Sequence, residues 1–205
     1  MKKLVLLTLF ILLVFSTVKA QEKKHNIPKK PNPIIFADIG LGITNGYLRG
    51  LTGTLSLNYQ TKNNLFTFKA LELVQKDNVD FFIIFPVNIE LSKINEYSFL
   101  YGKRYIEDGY SYHFSGGVSY NIYKQIKNDT VLSRESFWGF PLEFGISWFK
   151  SKKKKIGLLY GLIPVGKPTS FGRSIGFKLH VNIAKKTYVG LALNYSLGWH
   201  KVYNN

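Results

Sequence analysis

Tyr110-Ser111-Tyr112-His113-Phe114-Ser115-Gly116-Gly117-Val118-Ser119-Tyr120-Asn121 alternates along its whole length. Even positions carry Tyr110, Tyr112, Phe114, Val118 and Tyr120; odd positions carry Ser111, His113, Ser115, Ser119 and Asn121. Successive side chains of an extended chain point to opposite faces, so a period of two marks a strand with one apolar and one polar side. The period returns in Trp138–Trp148, where Trp138, Phe140, Leu142, Phe144, Ile146 and Trp148 oppose Gly139, Pro141, Glu143, Gly145 and Ser147. It returns again in 174–183 and 187–200. There Ile175, Phe177, Leu179 and Val181, and then Val189, Leu191, Leu193, Tyr195 and Leu197, form the apolar faces.

Working outward, the pattern predicts eight main strands, at about 34–43, 50–60, 64–74, 96–105, 109–121, 136–149, 172–183 and 187–200. The third is expected to lose register near Leu71-Glu72-Leu73, at a bulge. Short connections at Asn63-Asn64 and Glu107-Asp108-Gly109 contrast with long ones at 75–95 and 122–135, which read as loops. The segment 155–164 reads as an insertion, a hairpin or a ninth strand, and an even strand count favours the insertion. The predicted architecture is an all-β, antiparallel, up-and-down barrel forming the single domain 34–203.

The start of the chain is of another kind. Met1-Lys2-Lys3, an apolar run from Leu4 to Val18, and Val18-Lys19-Ala20 have the order of a secretory signal peptide spanning 1–20. Its removal would take away Lys2, Lys3 and Lys19, lowering the net charge of +16 by three, to +13. Residues 21–33, rich in Lys and Pro, read as an exposed basic leader. The chain has 205 residues, 45% of them hydrophobic, which excludes a disordered class. Aromatics at 16% together with 18 glycines suit closed barrels. With no cysteine, disulfides, thiolate metal sites, thiol nucleophiles and lipid attachment through an N-terminal Cys are excluded.

Alternation does not say which face is buried. In a soluble barrel the polar face meets water and is rich in Lys and Glu; here it is mostly Gly, Ser, Thr and Asn, which suit a narrow lumen. The apolar faces end in Trp138, Trp148, Trp199, Tyr59 and Tyr110, as at the two interfaces of a bilayer. The transmembrane reading is therefore preferred to a soluble, periplasmic, lipocalin-like barrel holding an apolar ligand. On these features, the repeats Tyr112-His113-Phe114-Ser115-Gly116-Gly117-Val118-Ser119-Tyr120 and Gly139-Phe140-Pro141-Leu142-Glu143, and the signal segment, the chain resembles small eight-stranded outer-membrane β-barrels of the OmpA/OmpX-like type. Among these it looks most like the barrels of Bacteroidetes-type bacteria. The resemblance covers 34 to about 203 and implies an outer-membrane location, the barrel-assembly machinery and outer-membrane lipid and lipopolysaccharide as partners, and no particular reaction. Such barrels usually end in an aromatic residue, whereas here Tyr203 is followed by Asn204-Asn205.

A polar lumen face would hold Asp38, Lys69, Glu72, Glu96, Arg104, Glu143 and Lys178, which must pair because an isolated buried charge is costly. The expected result is a salt-bridged plug rather than an ion path. His113-Phe114-Ser115, with Glu143 as the acid, matches the His-x-Ser pair of barrel lipid A deacylases, but both residues fall on the lumen face and read as hydrogen-bonding residues. His25, His180 and His200 lack metal-ligand spacing, no phosphate-binding glycine motif is present, and no cofactor is expected. Export argues against nucleic acid. Lys152–Lys155 and the leader lysines read as solvated turns, the alternative being contact with anionic envelope polymers. Phe81, Phe82, Ile83, Ile84 and Phe85 form an apolar patch in the first long loop and a candidate contact with an extracellular or envelope protein.

Overall fold

The computed structural model describes residues 33–82, 85–128, 130–150, 154–158 and 163–202. The expected signal peptide, the leader up to residue 32, and Ile83 and Ile84 lie outside them. The strands are β1 (Ile34–Gly46), β2 (Gly50–Thr61), β3 (Asn64–Phe82), β4 (Phe85–Ile106), β5 (Tyr110–Lys127), β6 (Thr130–Phe149), β7 (Lys154–Leu158), β8 (Ile163–Thr169), β9 (Phe171–Ala184) and β10 (Tyr188–Trp199). Eight of them close an antiparallel barrel in the order β1-β10-β9-β6-β5-β4-β3-β2, while β7 and β8 pair with each other. The described residues of the 155–164 segment thus belong to a separate strand pair lying in sequence between β6 and β9, not to a ninth barrel strand. The closing seam runs from Phe36↔Gly198 to Gly46↔Tyr188 and leaves the barrel wall without a free edge.

The faces are inside-out. On β10, Val189, Leu191, Leu193, Tyr195 and Leu197 are 39–51% exposed, while Ala192, Asn194 and Ser196 between them are buried. A soluble barrel would reverse this. Apolar side chains therefore form the lipid-facing wall of a transmembrane barrel. Aromatic neighbours such as Tyr105–Tyr112, Phe171–Trp199 and Tyr120–Trp138 pack at ring-centroid distances of 5.3, 5.4 and 5.4 Å. Inside, small residues make room for large ones across the ladder. Gly145 is paired with His113 and Gly190 with His180, and a Cβ at either glycine would collide with the imidazole ring.

Two apolar clusters close the lumen. Leu48, Leu71, Leu73, Ile94, Tyr123 and Tyr188, backed by Phe137, fill one end. Ile34, Phe36 and Leu65, with Ile106 and Val202, fill the end that carries the chain termini. The first cluster corrects the reading of β3. Pairing continues unbroken through Leu71↔Glu96, Glu72↔Asn95 and Leu73↔Ile94, and the register shift lies further on, between Lys76 and Asn78. Leu71 and Leu73 turn inward because the cap is apolar, and this sends Glu72 outward.

The expected long loops are strands. β3 to β6 have 19, 22, 18 and 20 residues, about twice the 9–11 that a tilted strand needs to cross a bilayer. The β2–β3 ladder stops at Leu51↔Val74, but β3–β4 continues to Phe82↔Phe85. Likewise β6 meets β9 only from Gly139↔Ala184, while β5–β6 reaches Lys127↔Thr130. Residues 75–82, 85–95, 122–128 and 130–135 therefore extend a four-stranded sheet beyond the mouth opposite the termini. Phe81, Phe82 and Phe85 belong to the ladder at its tip rather than to a loop. At the termini end β2–β3 and β4–β5 are joined by tight turns, with Lys62 at φ 53° and Gly109 at φ 91° allowing the reversals, while the connection from β6 to β9 carries β7 and β8.

The inside-out assignment sets a clear expectation. Leu193→Arg, in the middle of the outward row of β10, should cost about 2–4 kcal/mol in vesicles, measured by urea unfolding. A change below about 0.5 kcal/mol, as at a water-exposed site, would contradict the lipid-facing wall.

Candidate functional site

The lumen between the caps holds the sequence-predicted charges. Glu143 on β6 is central. Its Oε1 lies 3.1 Å from Lys178 Nζ and 3.2 Å from His113 Nε2, and its Oε2 is 3.3 Å from Lys69 Nζ. Lys69 on β3 also reaches Glu96 Oε1 at 3.4 Å. Lys178 on β9 donates to Asp38 Oδ2 on β1 at 2.9 Å. All five charged residues are buried, none more than 6% exposed.

Neutral residues complete the set. Asn58 Nδ2 donates to Asp38 Oδ2 at 2.7 Å, and Thr67 Oγ1 donates to Asn58 Oδ1 at 2.7 Å. Asn182 Nδ2 donates to Glu96 Oε2 at 2.7 Å, and the Tyr188 hydroxyl donates to the same oxygen. Asn58, Asn182 and Tyr188 fall on the polar faces of the sequence pattern, but no charge singles them out as members of the network.

The structure splits the predicted group. Arg104 is buried near the termini, where it bonds Gln60 Oε1 at 2.7 Å, the His200 carbonyl at 3.0 Å and Ser111 Oγ at 2.9 Å, with its guanidinium 4.8 Å from the Phe36 ring centre. No carboxylate ion pair to Arg104 is seen among the described residues. Glu72 is not in the lumen. It sits on the outer face, 54% exposed, and pairs with Lys93 at 3.5 Å. The interior set is then three carboxylates (Asp38, Glu96, Glu143) with three cations (Lys69, Lys178, Arg104), which balance.

His113 and Glu143 come together, and Ser115 is the cross-strand neighbour of Glu143. His113 Nε2 faces Glu143, and among the described residues Ser115 Oγ has no hydrogen-bond partner. Activation of a serine needs a base within hydrogen-bond reach of the hydroxyl. Both residues are buried in the lumen, away from the lipid-facing wall. His180 packs edge-on to Tyr188 at 6.1 Å, and His200 stacks on Phe149 at 5.8 Å. Among the described residues no group of His, Asp and Glu forms a metal-binding set.

No protein-family model matches the sequence, and no curated protein matches it. Solved structures share the fold. Ail, the attachment invasion locus protein of Yersinia pestis, solved with the heparin analogue sucrose octasulfate, is similar at a TM-score of 0.50 and 9% identity, over 83% of this chain and 99% of that one. Neisserial surface protein A aligns at a TM-score of 0.48 and 12% identity, over 80% and 95% of the two chains. The N-terminal β-barrel domain of Pseudomonas aeruginosa OprF aligns at 0.46 and 12%, over 80% and 99%.

Removing Glu143 strands parts of two lysines' ion pairing at once. Glu143→Leu is expected to lose about 3–5 kcal/mol of stability, as breaking a buried ion pair does. Ser115→Ala, which breaks no bond to the protein, should stay within about 1 kcal/mol. Unfolding titrations of both variants in vesicles decide this, and equal losses would refute the ranking.

Proposed function

Starting from an eight-stranded barrel of the OmpA/OmpX-like fold, we propose that the protein is a non-enzymatic component of the bacterial outer membrane. Its lumen is a plug, and its protruding β3–β6 sheet is the contact surface for an envelope or extracellular protein. The observation that carries the plug is the pairing of Lys69, Lys178, Asp38, Glu96 and Glu143 across the bore, closed above and below by apolar clusters. An ion entering would have to pass side chains such as Leu73 and Ile94, which have no exposed surface. Lys186 strengthens the closure at the sheet end. Its Nζ lies 3.9 and 4.1 Å from the ring centres of Tyr47 and Tyr123, 2.6 Å from Tyr47 Oη, and 3.5 Å from Glu135.

The protruding sheet supports the contact role. Thr130–Trp138 has no β9 partner in the ladder, so this length of β6 is a sheet edge with Val131 and Leu132 more than half exposed. Its chemistry is that of a surface for another macromolecule rather than a cleft for a small substrate.

The chain should fractionate with the outer membrane, resist carbonate washing and run faster on gels unheated than heated. In planar bilayers it should show no sustained conducting state. Stable single-channel steps from the wild-type chain would overturn the plug, and recovery as a soluble periplasmic protein would overturn the location.

A further inference from the structure

We propose that the termini end of the barrel docks on a carboxylate-bearing cell-wall polymer through the basic connection between β6 and β9. That surface rests on the outer-membrane reading above, in which the short turns lie on the periplasmic side and the protruding β3–β6 sheet on the other. It is therefore at the mouth opposite the contact surface already proposed.

Charge is divided unevenly between the two ends. In sequence, 75–95 and 122–135 carry five Lys or Arg and five Asp or Glu, which balance. By contrast, 150–173 carries seven Lys or Arg and no Asp or Glu. Five of the seven, Lys150, Lys154, Lys155, Lys167 and Arg173, lie among the described residues. Lys62 and Lys103 are exposed on the same rim. The described exposed acids at this end are Glu107 and Asp108, and Asp108 pairs with Lys201 at 3.0 Å. So one-sided a charge concentrates polyanions at this end and leaves the other nearly indifferent to them.

The basic segment is an addition to the barrel. At the same end Lys62 and Asn63 suffice to join β2 to β3, and Glu107, Asp108 and Gly109 to join β4 to β5. The ladder between β6 and β9 ends at Phe149↔Ser174, yet 150–170 connect the two strands. Connections longer than closure requires are where binding residues concentrate. Within this one, β7 and β8 pair from Lys154↔Thr169 to Leu158↔Ile163, with an irregularity between Lys154 and Ile156. The register gathers Lys154, Lys155 and Lys167 at the open end of the pair. Thr169 is two residues before Phe171, so that open end is within roughly 7 Å of the start of β9. Lys150 follows the end of β6, and Arg173 is exposed at the start of β9. Five cations from separate parts of the chain thus converge on one sector of the rim.

Their place in the fold selects the polyanion. Trp148 and Phe171 are exposed aromatics at the ends of β6 and β9, as at a membrane interface. The connection leaves the barrel after the first and re-enters it at the second, so it lies outside the hydrocarbon. A headgroup layer is only about 5–8 Å deep. Lys62 and Lys103 meet that layer from a turn and a strand end, without any insertion. A basic connection of this length serves an anion beyond the headgroups. On the periplasmic side, the anion that repeats across a surface is the cell-wall polymer, with free carboxylates on its peptides.

The test mixes the full chain, in neutral detergent micelles, with purified insoluble peptidoglycan sacculi and measures co-sedimentation. Wild type should pellet at 50 mM NaCl. At 300 mM, where the screening length falls from about 14 to about 6 Å, most of it should be released. Sacculi with amidated peptide carboxyls should bind about tenfold more weakly. Lys154→Gln/Lys155→Gln/Lys167→Gln should lose about as much, and Lys150→Gln/Arg173→Gln, in case the triple variant misfolds, should lose several-fold. Lys93→Gln/Lys124→Gln/Arg134→Gln removes three charges at the other end and should bind as wild type does. No pelleting with intact sacculi, equal binding to amidated ones, or an equal loss in the other-end variant would overturn the site. So would release of the bound chain by anionic phospholipid added to the micelles, which would make the surface a membrane contact. Failure of the wild-type chain to show a heat-dependent gel shift would instead overturn the barrel reading itself, a result distinct from a missing carboxylate dependence.

Discussion

The pairing of Glu143 with two lysines is the constraint on which the interior depends. Lys69 comes from β3 and Lys178 from β9, and Lys178 goes on to Asp38 of β1. β3 and β6 are not neighbours in the barrel, so the Lys69–Glu143 contact crosses the bore. It can form only if the bore is about as wide as two extended side chains, which is the width of an eight-stranded barrel. A wider barrel would leave these charges apart, and a narrower one would not hold them. Strand number, register and charge placement therefore support one another. The small residues facing this network belong to the same arrangement, since Gly145 and Gly190 leave the space that His113 and His180 occupy.

Balance matters as much as contact. Burying ions in a low-dielectric bore is unfavourable unless each finds both a counter-charge and hydrogen bonds. Asp38 has Lys178 and Asn58; Glu96 has Lys69, Asn182 and Tyr188. Arg104 is handled differently. It is placed one layer nearer the termini, where Gln60, Ser111 and a backbone carbonyl accept its donors and Phe36 covers its face. The six charges thus act as a graded filling of the barrel, not as one cluster.

Much of this was legible in the sequence. The period of two in Tyr110–Asn121, Trp138–Trp148 and 187–200 defined strands and faces, and the Gly, Ser and Asn character of the polar side identified it as the lumen. Asp38, Lys69, Glu96, Glu143 and Lys178 followed from that face alone. The extended hairpins did not, because Gln75-Lys76-Asp77-Asn78 has no apolar face to reveal a strand. A strand outside the bilayer is held by its ladder and needs no such face. Glu72 reaches the lumen face only if the strand loses register at a bulge near Leu71-Glu72-Leu73; with the pairing unbroken there, Leu71 and Leu73 face inward instead. Nothing local in the sequence distinguishes a leucine facing acyl chains from one capping the lumen.

That last ambiguity resolves at the Tyr97–Tyr120–Trp138 row, where the sense of the amphipathic pattern inverts while the pleat continues. Toward the termini, Phe99, Val118 and Phe140 point outward, and Ser98, Ser119 and Glu143 point inward. Beyond the row, Leu71, Leu73, Ile94, Tyr123 and Phe137 pack inward, while Glu72, Lys93, Lys124 and Arg134 point outward. Within the bilayer the outside is the apolar phase, so polar groups must be gathered inside. Above it the outside is water and headgroups, so the apolar groups must gather inside. One continuous strand pair satisfies both demands by exchanging the chemistry of its faces at the boundary. The apolar cap that closes the lumen and the cationic row on the outer wall are then two sides of the same short stretch of β4, β5 and β6, and both follow from where the membrane ends.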